Sequence, residues 1–568
     1  MRTASALLLA ALLPGCGVPA YHRLTAALED DETATDGGAS TTASDPMSTV
    51  GEATGPISTV TTDPGSTSSV GDSDDATDSL TGATATTTTT SATTTAASDA
   101  TDTTAPPDNA PPYIQWLFAE PETIHKAGPV TLTALYSDDV SEIELHLDDE
   151  LLAVLGPGDF PYQHLIADAS QNGDREFWIR VRDPEGLEAT SMPAQVAVEL
   201  PESGSPVWTL IGEDPQWAEA RAIVPFAGGV AVGAYLVEKG LSTPILRRYD
   251  ENLNLHWTVD PISEYGAVTG LAVDPDGNLV AVGVADKGGL RTWLAKLDEG
   301  GNLVFPTKFG KVGETATGVA VAEDGSIYVS GYVQTTDKGK FDAMLWAYNA
   351  EGGPKWFRQW DNELPQDPGF ARDQAHGLAI LSDGSIAIAG ETWVRDEINL
   401  AFTDTRAFVR RYAPSNALLG SWVASKDPAK HSAALSIAAD ASGGLLLGGW
   451  SSSDPNSTTT PLSIHLDAKT TPTWFRQEVS GLGGLEAVHG ITRLPAGPIV
   501  IAMTLQGVTT RDVVIRGFVE EGVQLWEYLH MPAKGDDRVY ALTMGPYGAL
   551  YYAGGSDQSV IITGELAP

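Results

Sequence analysis

A pattern of short apolar runs separated by glycine-containing turns recurs seven times between residues 205 and 568. Its clearest copies are GLAVDPDGNLVAVG (270–283), GVAVAEDGSIYVSG (318–331) and GLAILSDGSIAIAG (377–390). Because glycine adopts positive φ without steric cost, a glycine at a fixed place in the turn favours a tight β-hairpin. The pattern therefore predicts seven hairpins, with turn glycines Gly228, Gly277, Gly325, Gly384, Gly443, Gly497 and Gly548.

Each hairpin is followed by a third apolar run and, in six copies, by a fourth run that contains an aromatic residue. The fourth-run aromatics are Trp257, Phe305, Trp356, Trp422, Trp474 and Trp526. Four strands in about fifty residues are typical of a propeller blade, so residues 205–568 are predicted to form a seven-bladed β-propeller. The seventh copy ends after its third strand. We expect PVWTLIG, with Trp208, to supply the missing strand and close the ring, which removes an open edge.

Residues 111–201 contain about seven shorter runs, several with strict alternation of apolar and polar positions, as in EIELHL and EFWIRVR. Alternation with period two predicts half-buried strands, and seven of them in ninety residues predict a small β-sandwich. The predicted fold class is therefore all-β, with a sandwich before the propeller.

Both regions are similar to known bacterial families. Residues 205–568 resemble the bacterial β-propeller repeat families of extracellular proteins, whose blades read acid-x-A-x-G-[IVL]-A-V-x-x-D-G-x-[IVL]-x-[IVL]-x-G. Residues 111–201 resemble bacterial immunoglobulin-like domains in VSEIELHLDDELLAVL and RVRDPEGLEATSMPAQVAVEL. These resemblances imply a fold and an extracytoplasmic location, because the propeller families mostly have no assigned reaction.

The first residues have the pattern of a secretory signal peptide: Arg2 precedes an apolar run at 4–13 that is too short to span a bilayer. Leu13-Pro14-Gly15-Cys16 resembles the bacterial lipobox, in which the cysteine receives a lipid anchor with palmitate-type acyl chains. Cys16 is the only cysteine in the chain. We predict a signal peptide over 1–15 and lipidation at Cys16. The alternative is an ordinary secretory signal with an incidental cysteine.

Residues 16–110 are rich in Thr, Ser, Ala, Asp and Gly, and their composition predicts a disordered acidic linker. The whole chain has a formal charge of -42, and about -29 of it falls on residues 111–568. Phosphate would be repelled from such a surface, so nucleic acid is excluded as a partner.

Signatures of known propeller enzymes are absent from the sequence. The single cysteine cannot supply the vicinal pair found in many quinone-dependent propellers, and neither S-x-D-x-G-x-T-W boxes nor a G-x-S-x-G elbow occur. Asp274, Asp276 and Asn278 superficially resemble a calcium loop, but no downstream acid stands at a bidentate position, so we interpret them as turn residues. No cofactor and no metal are predicted.

One register of the innermost strands is a candidate ligand site. Eight residues before the turn glycine stand Thr269, Thr317, His376, Leu435, His489 and Tyr540, with Arg221 nearby in the first copy. The first strand of a blade lines the central channel, so the polar members of this set are expected at a channel mouth, where propellers commonly bind ligands. Whether His376 and His489 converge, as joint metal or anion binding would require, stays open.

Three residues earlier, four copies carry an acid: Glu314, Asp373, Glu486 and Asp537. We expect these acids to anchor the loops between blades. The overall prediction is a monomeric, non-enzymatic lipoprotein of the bacterial outer membrane, facing the surface or the periplasm. Its predicted partners are the membrane and an envelope protein or glycan, which it binds or scaffolds. The alternatives are a propeller hydrolase or lyase with a channel-mouth active site, and a purely structural envelope component.

Overall fold

The computed structural model describes residues 110–568 apart from 214–216, 239–240, 336–339, 363–371, 396–402, 426–430, 454–457, 479–483, 496, 508–509, 531–535 and 557–559. The predicted signal peptide, Cys16 and all but the last residue of the predicted linker therefore lie outside the described residues. No helix in the described part of the chain is long and apolar enough to cross a membrane.

Two β-sheets pack face to face in the first folded region. Its strands are β1 (Ile114–Glu120), β2 (Thr123–Ile124), β3 (Gly128–Tyr136), β4 (Glu142–Leu147), β5 (Glu150–Leu155), β6 (Tyr162–Ile166), β7 (Gly173–Arg182), β8 (Glu188–Thr190) and β9 (Ala194–Val198). One sheet has the order β1-β3-β6 and the other β2-β9-β7-β4-β5, with β8 added beside β7. Leu132 from the first sheet and Ile143 and Phe177 from the second are fully buried in one core. The strands with alternating apolar and polar residues therefore form the predicted sandwich.

The remaining strands form seven four-stranded antiparallel sheets, as predicted. After β10 (Pro206–Glu213), blade 1 contains β11 (Trp217–Phe226), β12 (Gly229–Glu238), β13 (Leu241–Tyr249) and β14 (Leu255–Val259), and blade 2 contains β15 (Gly266–Val273), β16 (Leu279–Asp286), β17 (Leu290–Leu297) and β18 (Leu303–Val312). Blade 3 contains β19 (Glu314–Val321), β20 (Ile327–Gln334), β21 (Phe341–Tyr348) and β22 (Pro354–Trp360), and blade 4 contains β23 (Asp373–Ile380), β24 (Ile386–Arg395), β25 (Thr403–Tyr412) and β26 (Leu418–Val423).

Blade 5 contains β27 (His431–Ala439), β28 (Leu445–Ser452), β29 (Thr460–Leu466) and β30 (Pro472–Gln477), and blade 6 contains β31 (Ala487–Arg493), β32 (Ile499–Gln506), β33 (Arg511–Phe518) and β34 (Gln524–His530). Blade 7 combines β35 (Asp537–Met544), β36 (Leu550–Ser556) and β37 (Val560–Leu566) with β10 from the start of the propeller.

The ring closes through antiparallel pairing of β10 with β37, in which Trp208 stands opposite Glu565. The prediction that PVWTLIG completes the last blade is confirmed. Just before β10, the Gly204 amide donates to the Ala567 carbonyl and the Ala567 amide donates to the Ser205 carbonyl. The segment that leaves the sandwich is therefore held against the end of the chain.

The predicted turns close each blade's first hairpin. At Gly277, φ is +81°, and the Gly277 amide donates to the Asp274 carbonyl. The other six turn glycines also have positive φ. Since an L side chain is strained at such angles, glycine is the residue that this turn requires. The second strands that follow are almost wholly apolar and buried, as in LVAVGVAD of β16, because they lie between neighbouring blades.

Aromatic residues of the outer strands contact the next blade. The indole nitrogen of Trp257 in blade 1 donates to the Glu299 carbonyl of blade 2 at 2.9 Å, and that of Trp356 in blade 3 donates to the Pro414 carbonyl of blade 4 at 3.0 Å. These two residues therefore fasten neighbouring blades together.

Candidate functional site

Every inner strand of the propeller contains one β-bulge, at the register that the sequence singled out. The register shifts leave one residue unpaired in each blade: Arg221, Thr269, Thr317, His376, Leu435, His489 and Tyr540. We call these seven residues the bulge ring. A bulge redirects a side chain relative to the alternation of its strand and is frequent beside functional sites. The ring lies two to four residues from the start of each inner strand, at what we call the bulge end of the propeller. Each inner strand ends just before the turn that contains its glycine, and we call this opposite end of the propeller the turn end.

Two members of the ring are used for contacts between blades. The Thr269 hydroxyl donates to the Ala316 carbonyl of the next inner strand at 3.0 Å, and the Thr317 hydroxyl donates to the Ala375 carbonyl at 2.8 Å. Thr317 is also 6% exposed. These two hydroxyls are therefore engaged in holding adjacent inner strands together, and the sequence-predicted ligand contacts at Thr269 and Thr317 gain no support from their geometry.

Three other members, from blades 6, 7 and 1, contact one another. The Arg221 guanidinium lies 3.7 Å from the centre of the Tyr540 ring. The ring centres of His489 and Tyr540 are 5.9 Å apart and the rings are nearly perpendicular. Both arrangements are favourable. The face of an aromatic ring attracts a cation, and two perpendicular rings attract each other edge to face. We call Arg221, His489 and Tyr540 the Tyr540 cluster.

The charge of Arg221 is balanced within the protein. Its guanidinium is 2.5 Å from a carboxylate oxygen of Glu219, and both side chains are buried. The Tyr235 hydroxyl donates to the same carboxylate at 2.8 Å. Burial raises the pKa of Tyr235 well above its ordinary value, although the positive charge of Arg221 acts in the opposite direction. The cluster thus contains a neutralised cation and offers no net positive charge to a ligand.

Both histidines of the ring are neutral at physiological pH. Burial, together with the positive charges of Arg221 and Arg538, lowers the pKa of His489 to about 3. Burial alone lowers the pKa of His376 to about 4. Because the charged form is penalised in both, each imidazole offers one donor and one acceptor.

His376 stands apart from the cluster. It belongs to blade 4, no ring contact in the described part of the chain joins it to Tyr540 or His489, and its Nδ1 has no hydrogen-bond partner among the described residues. No group of three possible metal ligands among those residues includes either histidine. A joint metal site at His376 and His489 therefore gains no support from the geometry.

The four acids of the second register are buried, and three of them accept from nearby backbone amides. A Glu314 carboxylate oxygen accepts from the Lys311 amide at 2.7 Å, and one of Glu486 accepts from the Gln506 amide at 3.0 Å. Asp373 accepts from the Asn362 amide at 2.9 Å. Asp537 is fully buried. Among these three contacts, that of Asp373 reaches the loop after β22, as a loop-anchoring role requires, whereas Lys311 and Gln506 lie in β18 and β32.

Asp373 also belongs to a group of carboxylates that the sequence did not reveal. Oxygens of Asp342, Asp361 and Asp373, from blades 3 and 4, all lie within 4.8 Å of one another, close enough to hold a cation jointly. Burial, together with the charges of Asp361 and Asp342, raises the pKa of Asp373 to about 7. The Lys340 ammonium lies 2.8 Å from Asp361, so the protein itself supplies part of the neutralising charge.

A second polar layer that sequence analysis missed lies near the turn end. Lys296, Arg411 and His465 occupy equivalent positions on the third strands, each opposite the third residue after a turn glycine. They contact turn acids of their own blades: Lys296 binds Asp274, Arg411 binds Asp383 and His465 binds Asp440. A basic residue that recurs next to the last position of the third strand would have revealed this layer. Because Asp274 pairs with Lys296 and also accepts from the Asn278 amide, DPDGN is a turn.

The comparisons with known proteins give no family. No protein-family model and no curated protein matches the chain. Among solved structures, the polysaccharide lyase Uly1 matches with 12% identity and a TM-score of 0.37, over 61% of this chain and 90% of its own. The gluconolactonase XC5397 from Xanthomonas campestris gives 14% and 0.29, over 64% and 91%. The β-propeller domain of the trilobed protease from Pyrococcus furiosus gives 10% and 0.35, over 62% and 95%. At such low similarity these likenesses concern the propeller fold and carry no argument about activity.

Proposed function

We propose that this protein is an envelope-tethered, non-enzymatic binding module that takes its ligand at the bulge ring. The observation that carries the proposal is the Tyr540 cluster. Equivalent β-bulges in blades 6, 7 and 1 bring His489, Tyr540 and Arg221 into contact at the bulge end of the propeller. Tyr540 and His489 are half-buried, so part of each ring is accessible to a ligand, while the Tyr540 hydroxyl itself is buried.

The chemistry of the cluster favours an uncharged glycan over a protein or an anionic ligand. Glu219 offsets the charge of Arg221 and His489 is neutral, so the cluster presents hydrogen-bonding groups and aromatic surface without net charge. Sugar rings carry hydroxyl groups and apolar C–H faces, which suit such a surface. The acidic charge of the whole chain also disfavours polyanions.

The binding site is tested with the full-length protein and a panel of soluble neutral polysaccharides, such as dextran, xylan and galactomannan, by titration calorimetry. We expect saturable binding to at least one polymer and a loss of about tenfold or more in affinity for His489→Asn combined with Tyr540→Leu. Arg221 is left unchanged in this test, because its removal would leave Glu219 buried without its partner.

The matched control replaces the same residue types at exposed positions of the sandwich, His125→Asn with Tyr113→Leu. An equal loss in the control pair, or undiminished binding by the cluster variant, would contradict the site. Absence of binding to every polymer would favour the purely structural alternative.

We further propose that Cys16 is lipidated and holds the protein at the outer membrane through the acidic linker, with the sandwich as an immunoglobulin-like spacer. The lipobox resemblance and the composition of residues 16–110 support this arrangement. Cys16→Ala should release the protein from membranes and abolish fatty-acid labelling, because several acyl chains together anchor stably. Continued membrane association without label would rule out the anchor.

A second candidate function is cleavage of a glycan by a hydrolase or lyase reaction at the same place. The observation that favours it is an unprotonated imidazole in contact with a phenol beside a guanidinium, since proton transfer needs a base and an acid within reach of one substrate. The test is release of new reducing ends from the polysaccharides above. Turnover that His489→Asn abolishes and His125→Asn retains would establish this function in place of simple binding.

A further inference from the structure

A concave site lies at the turn end of the propeller, where the sandwich meets blades 7, 1 and 2. It has a volume of about 680 Å³, which is within the range of small-molecule sites. Lys126 and Ala127 of the sandwich form one side, and the turns that contain Gly228 and Gly277 form the other. We call it the interdomain cleft. The inner strands run from the bulge end to the turn end, so the cleft is separate from the Tyr540 cluster.

The cleft is strongly acidic. Its walls contain one basic residue, Lys126, and five acids: Asp250, Glu251, Asp276, Glu299 and Glu565. Three of these acids have partners within the protein. Glu299 pairs with Arg248 at 2.9 Å, Glu565 with Lys126 at 2.7 Å, and Asp250 accepts from the amides of its own turn.

The other two acids are without such partners. Glu251 and Asp276 are exposed and make no ion pair or hydrogen bond with the described part of the chain. The equivalent of Asp276 in blade 4 is Asp383, which is held by Arg411 at 2.6 Å. In blade 2 the equivalent basic residue, Lys296, binds Asp274 instead. Asp276 therefore faces the cleft without the basic partner that Asp383 has in blade 4.

Aromatic residues complete the walls. Trp208, Phe226, Tyr547 and Tyr551 line the cleft beside the acids. Lys126 shows how this surface accepts a cation: its ammonium binds the buried Glu565 carboxylate and lies 6.0 Å from the centre of the Tyr551 ring. The Trp208 indole nitrogen donates to the other oxygen of Glu565 at 2.7 Å. An alkyl ammonium group thus already occupies one part of the cleft.

We propose that the interdomain cleft binds a small linear polyamine. Several acids at separate places on the wall match several ammonium groups along one flexible chain, and the aromatic rings match the methylene segments between them. A compact metal ion would use neither the length nor the aromatic wall. This inference goes beyond the proposed glycan binding, since it concerns another site and a cationic ligand instead of an uncharged one.

The test is titration of the full-length protein with spermidine at about 150 mM salt, where diffuse attraction to the acidic chain is screened. We expect saturable binding with one site per chain, and about tenfold weaker binding for Glu251→Gln combined with Asp276→Asn. The matched control is Glu323→Gln combined with Glu351→Gln: these are two exposed acids in turns of blade 3, outside the cleft, with the same change in net charge. The control should retain the wild-type affinity.

A further variant changes the affinity in the opposite direction. Lys126→Met keeps an apolar stem but removes the resident ammonium, which leaves Glu565 for the ligand, so spermidine should bind several-fold more tightly. Equal losses in both acid pairs, no tightening for Lys126→Met, or binding of an oligolysine peptide without binding of spermidine would each overturn the assignment. Competition by magnesium ions at equal concentration would overturn it as well.

Discussion

Blades 2 and 3 differ from blades 6, 7 and 1 at one and the same backbone position. Each of these five blades carries a β-bulge there. In blades 2 and 3 the bulged residue is a threonine whose hydroxyl donates to the next inner strand. In blades 6, 7 and 1 the bulged side chains contact each other. The repeat therefore determines the backbone position of the bulged residue. The residue type and the side chains around it determine whether it joins two inner strands or contributes to a cluster.

The largest expected effect comes from Arg221, which contacts Tyr540 and also pairs with the buried Glu219. Arg221→Met removes the partner of Glu219 while that carboxylate stays buried, and breaking a buried pair in this way costs about 3–5 kcal/mol. We expect a marked fall in the midpoint of urea unfolding of the full-length protein. The double variant Arg221→Met, Glu219→Gln should recover most of the loss. A double variant no more stable than the single one would show that the pair does not determine the effect.

Acid titration tests whether His489 is neutral because of its place in the cluster. Its folded-state pKa of about 3 lies below the ordinary value of 6.5, so the unfolded chain binds a proton first as pH falls. Stability is therefore fully present above about pH 6.5 and is lost by a few kcal/mol as the pH falls towards 3. His489→Asn should flatten this part of the stability profile, measured as unfolding midpoint against pH. A profile unchanged from wild type would contradict the lowered pKa.

Asp373 gives the opposite slope from blade 4, which lies between the two groups. Its folded-state pKa of about 7 lies above the ordinary 3.8, so the unfolded chain loses its proton first as pH rises. Asp373 then costs no stability below about pH 4 and lowers stability progressively up to about pH 7. Asp373→Asn should be more stable than wild type at pH 8 by up to a few kcal/mol, and about equal at pH 4. A variant less stable than wild type at pH 8 would mean that the loop contact to Asn362 outweighs the charge.

The smallest expected effect concerns Thr317, one of the two threonines that join neighbouring inner strands. Thr317→Val keeps the shape of the side chain but removes the hydrogen bond to the Ala375 carbonyl, at a cost of about 1 kcal/mol. Thermal unfolding should move down slightly, while polysaccharide affinity stays at the wild-type value. A loss of affinity as large as that for the Tyr540 variant would place Thr317 in the ligand site and remove the distinction between the two groups.

Much of the fold could be predicted because its constraints are local. The apolar pattern and Gly277-type turns specify a hairpin within about fourteen residues, and the fourth-run aromatic residue specifies the outer strand. Closure could also be predicted, since a seventh copy lacking one strand and a spare strand with Trp208 at the front match each other. The pairing of β10 with β37 confirms this.

The candidate site could be predicted only as a register. Counting back from the turn glycine located six of the seven bulge residues, and Arg221 was found nearby. The sequence did not show that the register is a bulge, because a bulge changes the strand pairing without changing the local apolar pattern. Nor did it show that Thr317 is engaged with Ala375 while Tyr540 lies against Arg221, residues more than fifty and three hundred positions apart.

The amino-acid sequence by itself determined the repeat, the blade count, the turns and the strand that closes the ring, because hydrophobic periodicity and glycine conformation act over short distances. Tertiary structure alone decided which side chains meet. Blade 7 lies beside blade 1 only after closure, so the contact of Tyr540 with Arg221 and the cleft beside Glu565 exist only in the folded ring. Charge balance at Glu219 and at Asp276 likewise depends on which neighbour the fold supplies.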